Sequence, residues 1–275
     1  MKKYSPFASP TLWKDSFVLA FIVLGGIETV MSVMSITFDC IGNVPTRIGI
    51  VVAAYVILAV IVLYVKYRRA KNKIMLTIRG INVTVAKGDI FKADGWKLIP
   101  FNEYFDTQVD DVIIAKSSLN GKYIESLSED DKKELNLAIA ADDKSPLQRY
   151  QSQDGTRTRY ELGTIKTFRD IMMLALTHFN DQHEAHTNRA EYEHTLRTMW
   201  KEIGRVYAGK PITLPLIGAG LTRLDDMATK PNAELLKCII CTLRTSTITF
   251  NAPITILLTE DALKTVNLYE LKGEQ

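Results

Sequence analysis

Two long apolar runs near the beginning of the chain dominate its hydrophobic pattern. Residues 17–38 are apolar apart from Glu28 and a few hydroxyl side chains, and residues 48–65 carry no charge. Each run is long enough to cross a hydrocarbon core of ~30 Å as a helix. Because only nine residues connect them, the pattern predicts a transmembrane helical hairpin over residues 16–65, with spans at about 17–38 and 48–65.

Basic residues are distributed unevenly around this hairpin. Lys2, Lys3 and Lys14 precede the first span, and five further basic residues fall within residues 66–73, whereas the connection carries only Arg47. Lysine and arginine favour the cytoplasmic side of a membrane, so we expect residues 1–15 and the basic linker 66–73 to be cytoplasmic. A cleaved signal peptide is not favoured, since a second span follows the first at once.

Glu28 lies near the middle of the first apolar run. An ionisable side chain inside a bilayer is costly and usually faces protein or water. Two interpretations stay open: a protonated glutamate turned inward, or one that faces other helices of an oligomer or lines a conducting path. Gly25 and Gly26 beside it would let a second helix approach closely.

From residue 74 onward the pattern is that of a soluble α/β domain. Alternating apolar and polar positions predict strands at 74–80 and 81–89. Further apolar stretches predict strands at 110–117, 161–168, 171–179, 211–217 and 253–259, and helical periodicity occurs at 128–141, 189–207, from 231, and at 261–272. Residues 142–159 are polar and rich in turn formers, which predicts a surface loop. Alternation of strands and helices predicts a largely parallel, twisted sheet covered by helices.

Composition and local spacing argue against several kinds of site. A net charge of +3 is too small to indicate nucleic-acid binding. Cys238 and Cys241 form a CxxC, but it falls in a helical pattern without a second pair, which favours core packing over zinc or redox chemistry. His183 and His186 are three apart, yet no acidic or cysteine ligands accompany them at a fixed spacing, so we predict no metal site.

The stretch "PLIGAGLTRL", residues 215–224, follows a predicted strand. Ligands of parallel sheets bind at the carboxyl ends of strands, and Gly218 and Gly220 would let backbone amides approach an anion closely. Alone, such a turn fits a phosphate loop or a plain tight turn. Asp89 follows an early strand at the same sheet edge, and its carboxylate could accept a hydrogen bond from an adenine amino group or a ribose, which favours a nucleotide.

These stretches resemble macro domains, the ADP-ribose-binding fold. "VTVAKGDIF", residues 83–91, resembles the opening of the fold, and "PLIGAGLTRL" resembles its diphosphate-holding loop. Together with "LIPFNEYFDT", "SSLNGKYI" and the two apolar runs, the whole chain is similar to the membrane-anchored macro-domain effectors of Thoeris antiphage defence. The resemblance implies an α/β fold with a transmembrane hairpin and, over residues 74–275, a macro-domain-like mixed sheet sandwiched by helices.

The resemblance also implies contacts to a ligand. Asp89 and Ile90 would contact the adenine end, and Asn102 would occupy the place of the asparagine that hydrolytic macro domains use beside the distal ribose. The other expected contacts are first-loop residues near the distal ribose and diphosphate, Ser117, Ser118, Asn120 and Gly121, and second-loop residues around the diphosphate, Gly218, Ala219, Gly220, Leu221 and Arg223.

Two departures from the family pattern favour binding over hydrolysis. "PFNE" stands where the family has "NAAN", and "SSLNG" replaces a run of glycines. We therefore expect no enzymatic activity and no cofactor, with an ADP-ribose derivative as ligand. Alternative local roles are a turn cap for Asp89 and loop hydrogen bonding for Asn102 and Ser118.

The resemblance implies a signalling role in the inner membrane of a bacterium. A partner TIR-domain enzyme would convert NAD into an ADP-ribose derivative, histidine-linked in this branch of the family. The macro domain would bind that second messenger, form a homo-oligomer and disrupt the lipid bilayer, with Glu28 acting in the assembled spans and cell death as the outcome. The alternatives are a membrane-tethered ADP-ribosyl hydrolase and a passive reader of ADP-ribosylated proteins.

Overall fold

The computed structural model describes residues 9–33, 43–141, 147–151, 157–179, 185–220, 223–224 and 231–274. They fall into two compact units, one from the chain up to residue 74 together with residues 267–274, and the other from residues 75–266. Leu221 and His183 lie outside the described residues, and Arg223 and His186 are described through their backbone alone.

The first unit contains helix α1 (Pro10–Val33) and helix α2 (Val44–Ala70). Both are long and apolar enough to cross a membrane, which confirms the prediction of two such helices. Helix α2 begins where the Asn43 side chain accepts a hydrogen bond from Thr46 N at 3.2 Å, with a proline in the first turn, where no backbone donor is needed. Helix α1 begins seven residues before its apolar run, and α2 continues five residues past the end of its own. Backbone hydrogen bonds of a helix do not require apolar side chains, so the helices include these polar residues.

A return segment, residues 267–274, completes the first unit. The Tyr269 hydroxyl donates to Asp15 Oδ2 at 2.6 Å, and Lys66 Nζ donates to the Asp15 carbonyl at 2.8 Å. The apolar side chains that pack together around this hydrogen bond are Leu12, Leu63, Tyr67 and Tyr269. The return segment is therefore joined to α1 and α2 by both polar and apolar contacts.

The prediction of one helix over residues 261–272 is wrong. The helix ends at Lys264, and a 3-10 helix follows at Leu268–Glu274. Asn267 separates the two, since its side chain accepts from Tyr269 N at 3.2 Å and donates to Glu270 Oε1 at 3.0 Å. Asparagine side chains compete with the helical backbone for such hydrogen bonds and favour a new start.

The second unit is built on one mixed sheet. Its order is β1-β2-β11-β9-β3-β7-β8-β10, with β6 also paired to β7. The elements are β1 (Lys73–Ile78), β2 (Ile81–Lys87), β3 (Trp96–Asn102), α3 (Leu119–Glu125), α4 (Glu129–Ala141), β4 (Arg149–Gln151), β5 (Thr158–Tyr160), β6 (Ile165–Phe168), β7 (Ile171–Phe179), β8 (Ala185–Thr187), α5 (Arg189–Val206), β9 (Ile212–Pro215), β10 (Arg223–Leu224), α6 (Asn232–Arg244), β11 (Ile254–Leu258) and α7 (Glu260–Lys264).

The centre of the sheet is covered on both faces. Strands β2, β11, β9, β3 and β7 are parallel neighbours, whereas β6 and β8 run antiparallel to β7. Met172, Met173 and Leu174 of β7 are fully buried in succession, which is typical of a strand with helices on both sides. The predicted mixed sheet sandwiched by helices is thereby confirmed.

The strand predicted at residues 110–117 is not formed. Asp110 Oδ1 accepts hydrogen bonds from Val112 N at 2.9 Å and Ile113 N at 2.7 Å, and Asp111 Oδ1 accepts from Lys116 N at 2.8 Å. These bonds fold the segment into turns, because aspartate side chains replace the sheet ladder as backbone partners. The same hydrogen bonds, first from Ile113 and then from Val112, lower the pKa of Asp110.

The predicted surface loop at residues 142–159 is also wrong in part. Strands β4 and β5 pair antiparallel, Arg149 opposite Tyr160 and Gln151 opposite Thr158. Tyr160 anchors the pair, since its ring is buried and its backbone N donates to the Glu103 carbonyl at 2.8 Å. Strands β4 and β5 therefore lie beside the end of β3.

Candidate functional site

Four residues lie at or just after the carboxyl ends of four parallel strands, at one edge of the sheet. Strands β2, β11, β9 and β3 are neighbours in that order; Asn102 ends β3, and Asp89, Glu260 and Gly218 follow the ends of β2, β11 and β9 within three residues. Neighbouring strands are ~4.8 Å apart, so these four strand ends, which we call the edge row, span ~14 Å. Three of the four residues are among the predicted ligand contacts, and Glu260 is new.

Glu260 gives the row a carboxylate that no sequence pattern indicated. Its Oε2 lies 2.9 Å from Lys87 Nζ, and hydrogen bonding and the charge of Lys87, then the charge of Lys264, lower the pKa of Glu260. Only the register of β11 against its neighbours brings this residue to the edge row.

Asp89 begins a 3-10 helix at Ile90–Lys92, where its side chain accepts from Phe91 N at 3.1 Å. Asp89 is exposed and Ile90 is buried. The structure thus gives Asp89 the capping role weighed as an alternative, while a carboxylate retains lone pairs for a further donor. Its contact with adenine stays a prediction.

The second loop is fixed at Gly218 by a buried tyrosine. Gly218 has φ +81°, in the left-handed region that favours glycine, and a Cβ there would lie 3.2 Å from the Tyr192 ring. Tyr192 is buried and donates to the Ile217 carbonyl at 2.9 Å, and burial raises its pKa, so it stays a donor. At Gly220, by contrast, no described atom lies within 4 Å of an added Cβ.

Tyr192 therefore positions this loop, a role that the sequence did not predict. The helical periodicity could have indicated that Tyr192 is buried, because it lies four positions before Leu196 on the same face of α5.

Asn102 is buried and holds its own loop. Its Oδ1 accepts from Tyr104 N at 3.1 Å and from Asp106 N at 3.2 Å, and its Nδ2 donates to Asp106 Oδ2 at 2.8 Å. Asp106 Oδ1 in turn lies 3.0 Å from Arg157 Nη1. The structure therefore uses the Asn102 side chain to shape the turn after β3.

The first-loop residues cap helix α3. Ser118 Oγ donates to the Ala115 carbonyl and accepts from Gly121 N at 3.1 Å, while Asn120 Oδ1 accepts from the same Gly121 N at 3.0 Å. A Cβ on Gly121 would lie 2.3 Å from the Ala115 carbonyl, so glycine is needed for this close approach. Ser117 is exposed. These bonds build the turn, and contact with a ribose or diphosphate stays a prediction.

A cleft of about 500 Å³ opens beside the Asn102 loop. We call it the hairpin cleft, since strands β4 and β5 form one wall and helix α4 contributes another. The residues that give it its chemistry are Tyr104, Asp106, Arg149, Tyr150, Arg157 and Tyr160. One sequence pattern could have indicated this cleft: arginine and tyrosine recur in "RYQ" and "RTRY", residues 149–151 and 157–160. The polar composition of the surrounding segment favoured a loop instead.

Arginines stack on aromatic rings throughout this wall. The Arg157 guanidinium lies 3.9 Å from the centre of the Tyr104 ring, and Arg159 lies 5.4 Å from that of Tyr150. Arg149 lies 5.8 Å from the centre of the Tyr160 ring. Stacking on a ring face fixes the plane of a guanidinium and so the directions of its N–H donors.

A histidine between two glutamates lies at the same edge of the sheet. His178 Nδ1 is 2.5 Å from Glu103 Oε2, and His178 Nε2 is 2.9 Å from Glu191 Oε1. Arg159 Nε lies 3.5 Å from the same Glu103 oxygen, and Glu103 is buried. The hydrogen bond to Glu103 is the main cause that raises the pKa of His178, against the opposing effect of burial.

Other predicted features lie outside this edge. Glu28 is exposed on α1, and no described atom lies within 4 Å of a Cβ added at Gly25 or Gly26.

Cys238 and Cys241 are free thiols in α6, and burial raises the pKa of Cys238 to about 11, which makes it a poor nucleophile. Within the described part of the chain, no three histidine, cysteine or acidic residues are grouped to hold a metal.

Comparison with known proteins gives the following matches. The family described as "Thoeris protein ThsA, Macro domain" matches residues 83–259. A protein named "Thoeris protein ThsA" from Bacillus amyloliquefaciens (strain Y2) is 37% identical over 225 residues, 78% of this chain and 75% of that protein.

Solved structures of an Oceanobacillus iheyensis macrodomain are also similar to this chain. The macrodomain with ADP aligns at 14% identity over 74% of this chain and 95% of that chain, with a TM-score of 0.42. The same macrodomain with MES bound gives identical coverage and identity, with a TM-score of 0.38.

Proposed function

This chain belongs to the Thoeris ThsA macro-domain family of antiphage-defence proteins, and on that premise we propose that it is a membrane effector gated by a nucleotide. The macro domain binds an ADP-ribose derivative made by a TIR-domain enzyme, with histidine-linked ADP-ribose as the expected messenger. Binding drives assembly of a homo-oligomer, and the assembled helical pairs disrupt the inner membrane of the bacterium.

The edge row is the observation that carries the binding half of this proposal. A carboxylate at Asp89 follows β2 and a glycine loop at Gly218 follows β9, and the ends of these two strands are two strand spacings, ~10 Å, apart. This order suits an adenine at Asp89 and a diphosphate over the loop. Among the described residues, no side chain lies within 4 Å of a Cβ added at Gly220, and a glycine there would let a diphosphate approach the backbone amides of the loop.

We propose binding without hydrolysis. Support comes from Asn102, whose amide is buried and engaged with Tyr104 N and with Asp106, so it is poorly placed to position a water against a ribose. Ser118 and Asn120 are likewise engaged in capping α3. A catalytic loop would need these donors and acceptors to face the ligand.

The membrane half of the proposal is supported by α1 and α2. Their large apolar side chains are mostly exposed, as lipid-facing surfaces are, and Glu28 is exposed among them. A carboxyl group in hydrocarbon is stabilised by a polar partner or water, and oligomerisation would supply either. No described atom lies within 4 Å of a Cβ added at Gly25 or Gly26, next to Glu28, and glycines there would let a helix of another copy approach closely.

Gating requires differential affinity, because a ligand that binds resting and assembled states equally shifts neither. The test is light scattering of the full-length protein in detergent, with and without saturating histidine-linked ADP-ribose. We expect a larger assembly with the ligand. A Gly220→Val control should stay in the resting state, and an unchanged mass for the wild type despite saturation would overturn the gating.

Membrane action is tested in vesicles of phosphatidylethanolamine and phosphatidylglycerol that contain a dye. We expect ligand-dependent release by the wild type and its loss in Glu28→Ala, with ligand binding unchanged. Equal release by the two proteins would show that Glu28 is not needed. Chromatography of the recovered ligand completes the test, since its conversion to ADP-ribose and a free amino acid would favour a hydrolase instead.

A further inference from the structure

The pair formed by α1 and α2 has one basic end. The start of α1 lies beside the end of α2, because Lys66 Nζ donates to the Asp15 carbonyl at 2.8 Å. At the opposite end, the described part of the chain carries a single basic residue, Arg47. The exposed basic residues at the first end, which we call the basic collar, are Lys14, Arg68, Lys71 and Lys272.

The return segment supplies Lys272 to this collar. Its Tyr269 hydroxyl donates to Asp15 Oδ2 at 2.6 Å, and the Tyr269 ring packs with Leu12 and Leu63. Lys272 Nζ in turn lies 5.0 Å from the centre of the Tyr269 ring, within the range of a cation–π contact. A basic side chain from beyond the last strand of the sheet is thereby held at the same end of the helical pair.

Arg68 and Lys71 lie on one side of the end of α2, together with Tyr64. The three residues are spaced four and three positions apart, and Lys71 keeps helical backbone angles, φ −62° and ψ −39°. The Arg68 guanidinium lies 5.8 Å from the centre of the Tyr64 ring, which is exposed. Trp13 of α1 is also exposed and stacks on Phe17, 6.0 Å between ring centres. Tyrosine and tryptophan are enriched where a bilayer meets water, so the collar lies at the level of lipid headgroups.

The charge of the collar is not balanced by the side chains around it. Among the residues that the structure describes, no carboxylate forms an ion pair with any of the four collar residues. The acidic side chains described at this end have other partners, since Asp15 binds Tyr269 and Glu270 accepts from Asn267 Nδ2 at 3.0 Å. Ammonium and guanidinium groups both bind phosphate, so this surface suits a phosphate anion from outside the chain.

We propose that the basic collar binds the phosphate headgroups of anionic phospholipids. The large apolar side chains exposed along α1 and α2 favour a lipid over a dissolved anion, because acyl chains cover them while the headgroup lies at the collar. A zwitterionic lipid carries its own cation beside the phosphate and gains less from the collar. This inference rests on the membrane half of the proposed function, because lipid reaches the collar only if α1 and α2 lie in a bilayer.

The test is native mass spectrometry of the full-length protein in a neutral detergent. Separate titrations use phosphatidylglycerol, phosphatidylcholine and inorganic phosphate. We expect phosphatidylglycerol to bind at least about tenfold more tightly than phosphatidylcholine, since each basic residue near an anionic lipid contributes about fivefold. Inorganic phosphate should bind much more weakly than either lipid, because it has no acyl chains to contact the helices. Higher ionic strength should reduce the preference for phosphatidylglycerol.

Two variants locate the effect on the collar. Arg68→Gln and Lys272→Gln each remove one charge at an exposed position, the first on α2 and the second on the return segment. Each should lower the affinity for phosphatidylglycerol about fivefold and leave the affinity for phosphatidylcholine within about twofold of wild type. Lys201→Gln, at an exposed lysine on α5, is the matched control and should change neither affinity. Melting temperatures in detergent show that each variant is folded.

The outcomes separate this inference from the proposed function. Equal affinities of the wild type for the two lipids, or a wild-type preference in both collar variants, would overturn the collar assignment and leave the membrane placement intact. Binding of inorganic phosphate as tight as that of phosphatidylglycerol would overturn the assignment to a lipid. Failure of the ligand-dependent dye release would instead overturn the proposed function, and a preference for phosphatidylglycerol would stand without it.

Discussion

The hydroxyl of Tyr269 donates a hydrogen bond to the carboxylate of Asp15 at 2.6 Å, across 254 positions of sequence. Burial, and then the contact with Asp15, raises the pKa of Tyr269, so the hydroxyl remains a donor at any physiological pH. The ring packs between Leu12 and Leu63, with Lys272 Nζ 5.0 Å from its centre. The Tyr269 side chain therefore helps to hold the return segment to the helical pair.

Removing that hydroxyl should loosen the return segment. Tyr269→Phe keeps the ring and deletes one hydrogen bond to a charged group, which typically contributes about 1.5–3 kcal/mol. We expect amide hydrogen exchange of residues 267–274 to become at least about tenfold faster in detergent. Mass spectrometry of the corresponding peptides measures this.

Tyr55→Phe is the control for that experiment. It removes a different hydrogen bond of the same unit, from Tyr55 to the Phe17 carbonyl at 3.2 Å, and should leave exchange of residues 267–274 unchanged. Equal exchange in wild type and Tyr269→Phe would mean that the apolar contacts alone hold the segment.

The two loop glycines should respond differently to substitution. Gly218→Ala places a Cβ near the Tyr192 ring at a left-handed φ, so we expect a lower melting temperature, for a cost of about 1 kcal/mol or more. Gly220→Val meets no described atom, so its melting temperature should stay close to that of wild type. Under the proposed function its ligand affinity should nevertheless fall at least about tenfold.

The test compares the melting temperature and the ligand affinity of each glycine variant with those of the wild type. Melting temperatures come from calorimetry without ligand, and affinities from titration with ADP-ribose. A Gly220→Val protein that keeps wild-type affinity would contradict a diphosphate over this loop, whatever the result at Gly218.

Asn102 should prove to be structural. Asn102→Ala leaves the half-buried Tyr104 and Asp106 amides without their acceptor, and an unsatisfied group costs up to about 1–3 kcal/mol when it is buried. We expect a clearly lower melting temperature together with weaker ligand binding. Asn136→Ala, which removes an exposed acceptor of the Thr107 hydroxyl, serves as control and should change little. Wild-type stability with a loss of turnover would instead assign Asn102 to catalysis.

Stability should depend on pH through His178. Its folded-state pKa is raised above the ordinary value of 6.5, chiefly by the hydrogen bond to Glu103, and Glu191 and nearby Arg159 complete its charged surroundings. The stabilisation is therefore fully present below about pH 6.5 and is lost as pH rises through the raised pKa. The melting temperature should fall over that interval, and His178→Gln should flatten the fall. Parallel pH profiles of the two proteins would contradict this role.

Much of the fold was predictable because its signals are local and strong. The two apolar runs required helices, and the branched, apolar strand β11 could pack only inside a sheet. The position of the candidate site was predictable where it depends on backbone: parallel strands end at one edge, so Asp89 and Gly218 both had to lie near that edge.

The unpredicted features depend on side chains that act as backbone partners or as stacked pairs. Asp110 replaced a strand by turns, although Val112 to Ile114 look like strand residues. Strands β4 and β5 are three residues each, and their arginines and tyrosines give no apolar face for a pattern to reveal. The burial of Asn102 likewise follows from tertiary contacts, whereas Ser118 caps α3 through local bonds to residues three positions away.

The return segment has a practical consequence for making the macro domain without the two N-terminal apolar helices. Leu268, Tyr269 and Leu271 are buried side chains, and the cover of Tyr269 comes from α1 and α2. A fragment that begins at residue 75 and keeps residues 267–274 would expose the Tyr269 ring to water. The exposed apolar surface would favour aggregation. A fragment of residues 75–266 avoids this exposure. For crystallisation or ligand screening, both the two N-terminal helices and the return segment should therefore be removed.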